Sequence, residues 1–278
     1  MRRIILAFLL LALPLAASAE ECKFTAPRNA DLDAAGLKSL LLTLGSTDLD
    51  IRSTPGLTKI EVRGTACASD ASKLKDLQID ARRSGDQATV NTGQHDEYMN
   101  IGLFGSSYAY IKLQVRLPAS LAVSVDSGSG DVNAANLASL DFDSGSGDLI
   151  ADHIAGLLSL KLGSADAKAR QVGRVELKGS GSGDVHVTGV QGDVHADHSG
   201  SGDLGFDNVT GSVTIGATGS GDISLHHIGR DVEVGSTGSG DVSADDVGGN
   251  FSVHSTGSGD IKHSGVKGKV NVPKGDDD

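Results

Sequence analysis

Residues 236–254 read STGSGDVSADDVGGNFSVH, and residues 255–266 open the same phrase again as STGSGDIKHSGV. The aspartate of this phrase recurs at Asp131, Asp148, Asp166, Asp184, Asp203, Asp222, Asp241 and Asp260, in steps of 17, 18, 18, 19, 19, 19 and 19 residues. With 38 glycines and abundant Ser and Asp, composition alone suggests a disordered chain. A flexible linker keeps no such count, so the period signals stacked repeats.

Apolar residues travel with the aspartate. The next position is Val132, Leu149, Ala167, Val185, Leu204, Ile223, Val242 or Ile261. The sixth is Leu137, Ile154, Val172, Val190, Val209, Ile228, Val247 or Val266. Further on come alternating pairs such as Val194/Ala196, Val213/Ile215 and Phe251/Val253, the pattern of half-buried strands. Each copy is a glycine turn, a short strand, a second turn holding Gly192, Gly211, Gly248 or Gly268, and another strand. One copy cannot close a core, but stacked copies pair in parallel at ~4.8 Å and line up their apolar positions. The fold class is therefore all-β, a right-handed parallel β-solenoid of about 19 residues per coil. Glycine suits a corner turned in every coil, through positive φ or close approach of the backbone. Ala165 replaces that glycine in LGSADAKA, which marks one coil as irregular and leaves the register of Leu158 and Leu160 open.

Upstream of Leu117 the alternation persists without a regular period, in Leu40/Leu42/Leu44, Ile60/Val62 and Ile111/Leu113/Val115. RRSGDQ reads as a hairpin turn, and TLGSTDLDIRS as a degenerate coil with Asp48 at its corner. Residues 20–118 are expected to form an irregular β region that caps the solenoid of residues 119–278, which ends in a short acidic tail. Residues 1–19, with Arg2 and Arg3 before an apolar run and Ala17-Ser18-Ala19 after it, read as a secretory signal peptide. The run is too short for a membrane anchor. An exported chain is expected, periplasmic or secreted, with association with the outer cell surface as an alternative, and oxidising surroundings favour pairing Cys22 with Cys67. The formal net charge of −12 makes nucleic acid and anionic membranes poor partners.

The tandem SGSGDV turns, the alternating N-terminal β region and RLPASLAVSVDSGSGDV resemble a bacterial adhesin family with GSGD repeats, related to the auto-transporter-adhesin-like head GIN domains. The resemblance implies an envelope or surface β-solenoid with no established catalytic residues; the expected partner is an unknown envelope or surface component, protein or glycan.

Carboxylates are abundant, including Asp143 with Asp148 and Asp245 with Asp246, but they recur as turn residues and no copy is singled out by a nearby Arg, Lys or His. An enzyme is not expected, and a β-helix polysaccharide lyase or hydrolase stands as an alternative. The histidines form no common column, so no metal site is expected. Stacked turn aspartates repel by roughly 1 kcal/mol per neighbour in water at ~4.8 Å. They are expected to be satisfied locally, each accepting from its own turn's N–H groups and from Ser129, Ser146, Ser182, Ser201, Ser220, Ser239 or Ser258. Ca²⁺ held between coils, making a calcium-dependent structural module, is the alternative; no other cofactor is implied. The solenoid has few aromatic residues, whereas EYMNIGLFGSSYAYIKL carries Tyr98, Phe104, Tyr108 and Tyr110. These four are the candidate partner contact, with sealing of the rod's end as the competing role. The expected function is that of a noncatalytic envelope interaction or adhesin-like scaffold protein.

Overall fold

A computed structural model describes residues 22–93, 100–102 and 105–273. The proposed signal peptide, Tyr98, Phe104 and the acidic tail lie outside the described residues. The chain folds as a parallel β-solenoid of about 8 turns with about 19 residues per turn. One coil shows how sequence makes the element. After Asp184, Val185–Val190 forms the first strand, residues 191–193 turn the chain, and Val194–Ser199 forms the second. Val185, Val187, Val190, Val194 and Ala196 point inward and are buried, as is Ser199. Each strand pairs with its counterpart in the coils above and below, Val185 with Ala167 and Leu204, Val194 with Val175 and Val213. The core is thus two packed ladders of side chains, one from each face.

Strict alternation would send the sixth residue outward, yet Val190 and its equivalents from Leu137 to Val247 are buried. The reason lies one residue earlier, where Asn136, His153, Gln171, Asn208, His227 and Asp246 have φ between 53° and 58°, and Gly189 and Gly265 are also positive. This left-handed residue turns two successive side chains outward and brings the next back into the core. His153 and His227, both five residues after their coil's aspartate, fall in this column, which is set by backbone conformation and shared with Asn, Gln, Asp and Gly, so the histidines as a set form no column of their own.

The irregular coil keeps its register: Leu158 pairs with Leu140 and Val175, Leu160 with Phe142 and Leu177, and both are buried. Its residual irregularity is two shifts in pairing, between Ile154 and Leu157 and between Leu160 and Lys161. All three solenoid phenylalanines, Phe142, Phe206 and Phe251, are fully buried.

At the N-terminal end, stacking order departs from chain order. Strand β1 (Phe24–Asp33) runs antiparallel to β4 (Lys59–Ala68), with β2 (Ser39–Leu44) and β3 (Asp48–Ser53) between them in sequence. The hairpin of β5 (Asp80–Ser84) and β6 (Gln87–Asn91) turns at Gly85, whose φ is 59°. Next come a separate antiparallel pair, β7 (Asn100–Gly102) and β8 (Gly105–Ser107), and the long β9 (Ala109–Leu117). The degenerate coil β2–β3 stacks directly on β10 (Ala122–Ser127) and β11 (Val132–Leu137), so it belongs to the solenoid ladder. Beyond it β6 pairs in parallel with β2, and β9 with β3. Antiparallel β5 and β4 then close the two faces, and β1 covers β4. A switch from parallel to antiparallel pairing ends the stack at this end.

Candidate functional sites

Three surfaces follow from the coil: the aspartate corner, the aromatic end and the corner opposite the aspartates. At the first corner each aspartate links two coils. The Asp148 N–H donates to Oδ1 of Asp131 at 3.0 Å, and the same bond joins Asp166 to Asp148, Asp184 to Asp166 and Asp203 to Asp184. It continues from Asp222 to Asp203, Asp241 to Asp222 and Asp260 to Asp241, each at 2.8 Å. Asp48 of the degenerate coil begins the run by accepting from Asp131. Local satisfaction is thereby corrected: the carboxylates accept from the next coil's backbone, because parallel stacking brings that N–H closer than any donor of their own turn. The hydroxyl that matters is also a different one. Ser127, Ser144, Ser180 and Ser199, four residues before the aspartate, are buried and donate within the turn to the carbonyls of Gly130, Gly147, Gly183 and Gly202.

The glycines before the aspartates serve close approach rather than positive φ. A Cβ on Gly221 would lie 2.0 Å from the Gly202 carbonyl oxygen, and one on Gly240 at the same distance from that of Gly221. A second, shorter ladder follows the same logic at the other turn. Asp193 accepts from the Ser212 N–H, Asp231 from that of Asn250, and Asn250 Oδ1 from that of Lys269.

At the aromatic end, Tyr108 and Tyr110 are half-buried and engaged within the chain. Cys22 and Cys67 form a disulfide with a Cα–Cα distance of 5.6 Å. The Tyr110 hydroxyl lies 3.4 Å from the Cys22 sulfur and, the sulfur carrying no hydrogen, is the donor. The Tyr108 hydroxyl accepts from the Lys23 N–H at 3.0 Å, and the two tyrosine rings lie tilted to one another with centroids 6.0 Å apart. The pair thus helps to hold the N-terminal segment against β4 and β9. Nearby, Lys59 and Arg63 both bond Asp31 and lower its pKa to about 2.

The opposite corner, just past the left-handed column, is a groove. A cavity of about 560 Å³ lined by His153, Gln171, Gln191, Asn208 and Thr210 meets one of about 310 Å³ that reaches Asp246 and Lys267, and the two share Asn208 and Thr210. A separate hollow of about 420 Å³ opens on the outer face where Gly205 supplies no side chain, gathering Lys168, His186 and His226 around Asp184, Asp203 and Asp222. The hollow is lined by three turn aspartates alike, whereas among the described residues the cation paired with turn aspartates is Lys262, 3.8 Å from Asp241 and 3.9 Å from Asp260. The sequence signal for the hollow was a glycine in a column whose other members, from Asp50 through Lys168, His186 and Ser224 to Lys262, all carry side chains. Among the described residues no group of three or more His, Cys, Asp or Glu is placed to hold a metal ion.

The family model Toastrack DUF4097 matches residues 37–234, a span that begins with the degenerate coil and runs through most of the repeats. The chain belongs to the Toastrack DUF4097 family. Among solved structures, a candidate lipid-binding protein from Parabacteroides distasonis is 15% identical, with 90% of this Toastrack chain and 97% of that chain covered and a TM-score of 0.51. A candidate cell adhesion protein from Clostridium sporogenes is 11% identical, with 90% and 99% covered and a TM-score of 0.35. A candidate adhesin from Parabacteroides distasonis is 14% identical, with 89% and 97% covered and a TM-score of 0.38. Among curated proteins none matches. At such identities the likeness concerns the fold.

Proposed function

We propose that this Toastrack chain is an exported, noncatalytic interaction or scaffold protein of the cell envelope, adhesin-like in its action. The observation that carries this reading is the division of labour between the two corners. The recurrent aspartates are spent on holding coils together, whereas the opposite groove changes its side chains from coil to coil, from His153 through Gln171 and Asn208 to His227. Invariant columns build a solenoid, and varied columns recognise partners. The Cys22–Cys67 disulfide and the signal-like residues 1–19 support export. Among the described residues no helix is long and apolar enough to cross a membrane. Among the described residues the exposed large hydrophobics, Phe24, Ile150 and Val270, lie on separate elements, which favours a polar partner, protein or glycan, over a lipid.

The test incubates purified chain with envelope material and follows both retention and release of sugar products. Retention without product is expected. Steady release of oligosaccharide, abolished by substitution of Asp203 and His226 in the Gly205 hollow, would replace this reading with the hydrolase or lyase. Retention or melting that requires calcium would replace it with the calcium-dependent module.

A further inference from the structure

We infer that the groove beside the left-handed column is a track for an extended, uncharged β-linked polysaccharide lying along the solenoid axis. The inference rests on the binding role proposed above and names its ligand class. The groove runs across the coils, not along a strand, so anything bound in it meets one rung every ~4.8 Å. An extended peptide advances only ~3.3 Å per residue and loses phase by the second rung. In an extended β-1,4-linked glycan each ring advances by close to one rung and is flipped relative to the last, so each ring meets a rung and every second ring presents the same edge to the groove.

The lining fits that backbone chemically. Gln171, Gln191, Asn208 and Thr210 are exposed, offer both donors and acceptors, and among the described residues none of these side chains has a partner within the chain. They form an uncharged stretch on a protein of net charge −12, which disfavours uronic acid polymers and suits hydroxyl and acetamido groups. The walls are preorganised, since Asn208 sits in the left-handed conformation and its strand is pinned between two neighbours. No aromatic platform is present on the rod, all three phenylalanines being buried, so each sugar is held weakly and affinity accumulates along the rungs.

The experiment titrates the full chain with the β-1,4-linked N-acetylglucosamine hexamer, its dimer, and polygalacturonate, and maps amide shifts with the hexamer. The hexamer is expected to bind at least tenfold more tightly than the dimer, with shifts centred on Gln171, Gln191, Asn208 and Thr210. Gln191→Arg/Thr210→Arg should weaken it at least tenfold with an unchanged melting temperature, and His195→Arg on the other face should not. If the double variant melts early, the wild-type shift map decides alone. Hexamer shifts elsewhere, equal binding of polygalacturonate, or no hexamer binding by a chain that envelope material still retains would overturn the track and leave the binding role standing. Loss of retention on envelope material as well would overturn both.

Discussion

Asp222 donates its N–H to Asp203 and accepts that of Asp241, so one residue serves two coil boundaries. Asp222→Asn keeps the oxygen acceptor and removes one charge from a ladder of like charges. The same exchange already exists at the second ladder, where Asn250 donates through Nδ2 to Asp231 and accepts from Lys269. Chemical denaturation should find Asp222→Asn unchanged or slightly more stable, and Asp222→Ala weaker by about 1 kcal/mol because a backbone donor loses its acceptor. The buried hydroxyl column offers a sharper contrast. Ser199 bonds the Gly202 carbonyl, whereas Thr218 Oγ1, in the next coil, has no partner. Thr218→Val should therefore be neutral or stabilising, while Ser199→Ala costs about 1 kcal/mol. Equal losses for the two would mean that the column stabilises through volume alone.

Coil spacing at the level of the turn is set by glycine. Placing Ala at 221 would drive its Cβ to 2.0 Å from the Gly202 carbonyl, and that oxygen is held within its own turn by the Ser199 hydroxyl. Gly221→Ala should cost about 3 kcal/mol, at the upper end of overpacking penalties. Ala165 occupies the equivalent position in the irregular coil with a φ outside the left-handed region, and the bond from Asp166 to Asp148 is intact at 2.9 Å. Ala165→Gly should thus destabilise by about 0.5–1 kcal/mol, through greater freedom of the unfolded chain. At the capping strands, Asp31 is held by Lys59 and Arg63 with its pKa lowered from 3.8 to about 2. A lowered carboxyl pKa contributes stability that is present above the unfolded value and lost as pH falls through the folded one. Acid titration of the cap should therefore show a loss between pH 4 and pH 2 that Asp31→Asn removes.

As a whole molecule the rod has nearest-neighbour energetics, each coil touching only the coils beside it. Val247 is fully buried and pairs with Ile228, so Val247→Asp places an unpaired charge between the last complete coils. Hydrogen exchange should then show early opening of residues 242–271 while the coils around Leu160 and Val187 stay protected. Uniform opening of the rod would mean cooperativity longer than one neighbour. The ends differ in kind: antiparallel strands and a disulfide close the N-terminal one, whereas at the other Ile261 and Val266 are only half-buried.

The sequence by itself determined the solenoid, its period and its inward columns, because every coil must place glycine, aspartate and apolar residues at the same phase to stack at all. It also marked Asp48 and Leu49 as an earlier coil, since they carry the same short phrase. Which donor meets each carboxylate was not legible, because Asp203 and Asp222 are 19 residues apart and only stacking brings the N–H of one to the oxygen of the other. The left-handed column was equally hidden, its members His153, Gln171 and Asn208 sharing a backbone conformation but no side-chain type. The groove and the hollow at Gly205 exist only between coils, and neither has a counterpart in any single repeat. Residues 39–53 likewise join residues 122–137 across the intervening cap strands, a choice made by tertiary pairing because a parallel ladder accepts any strand of matching phase, whatever its place in the chain.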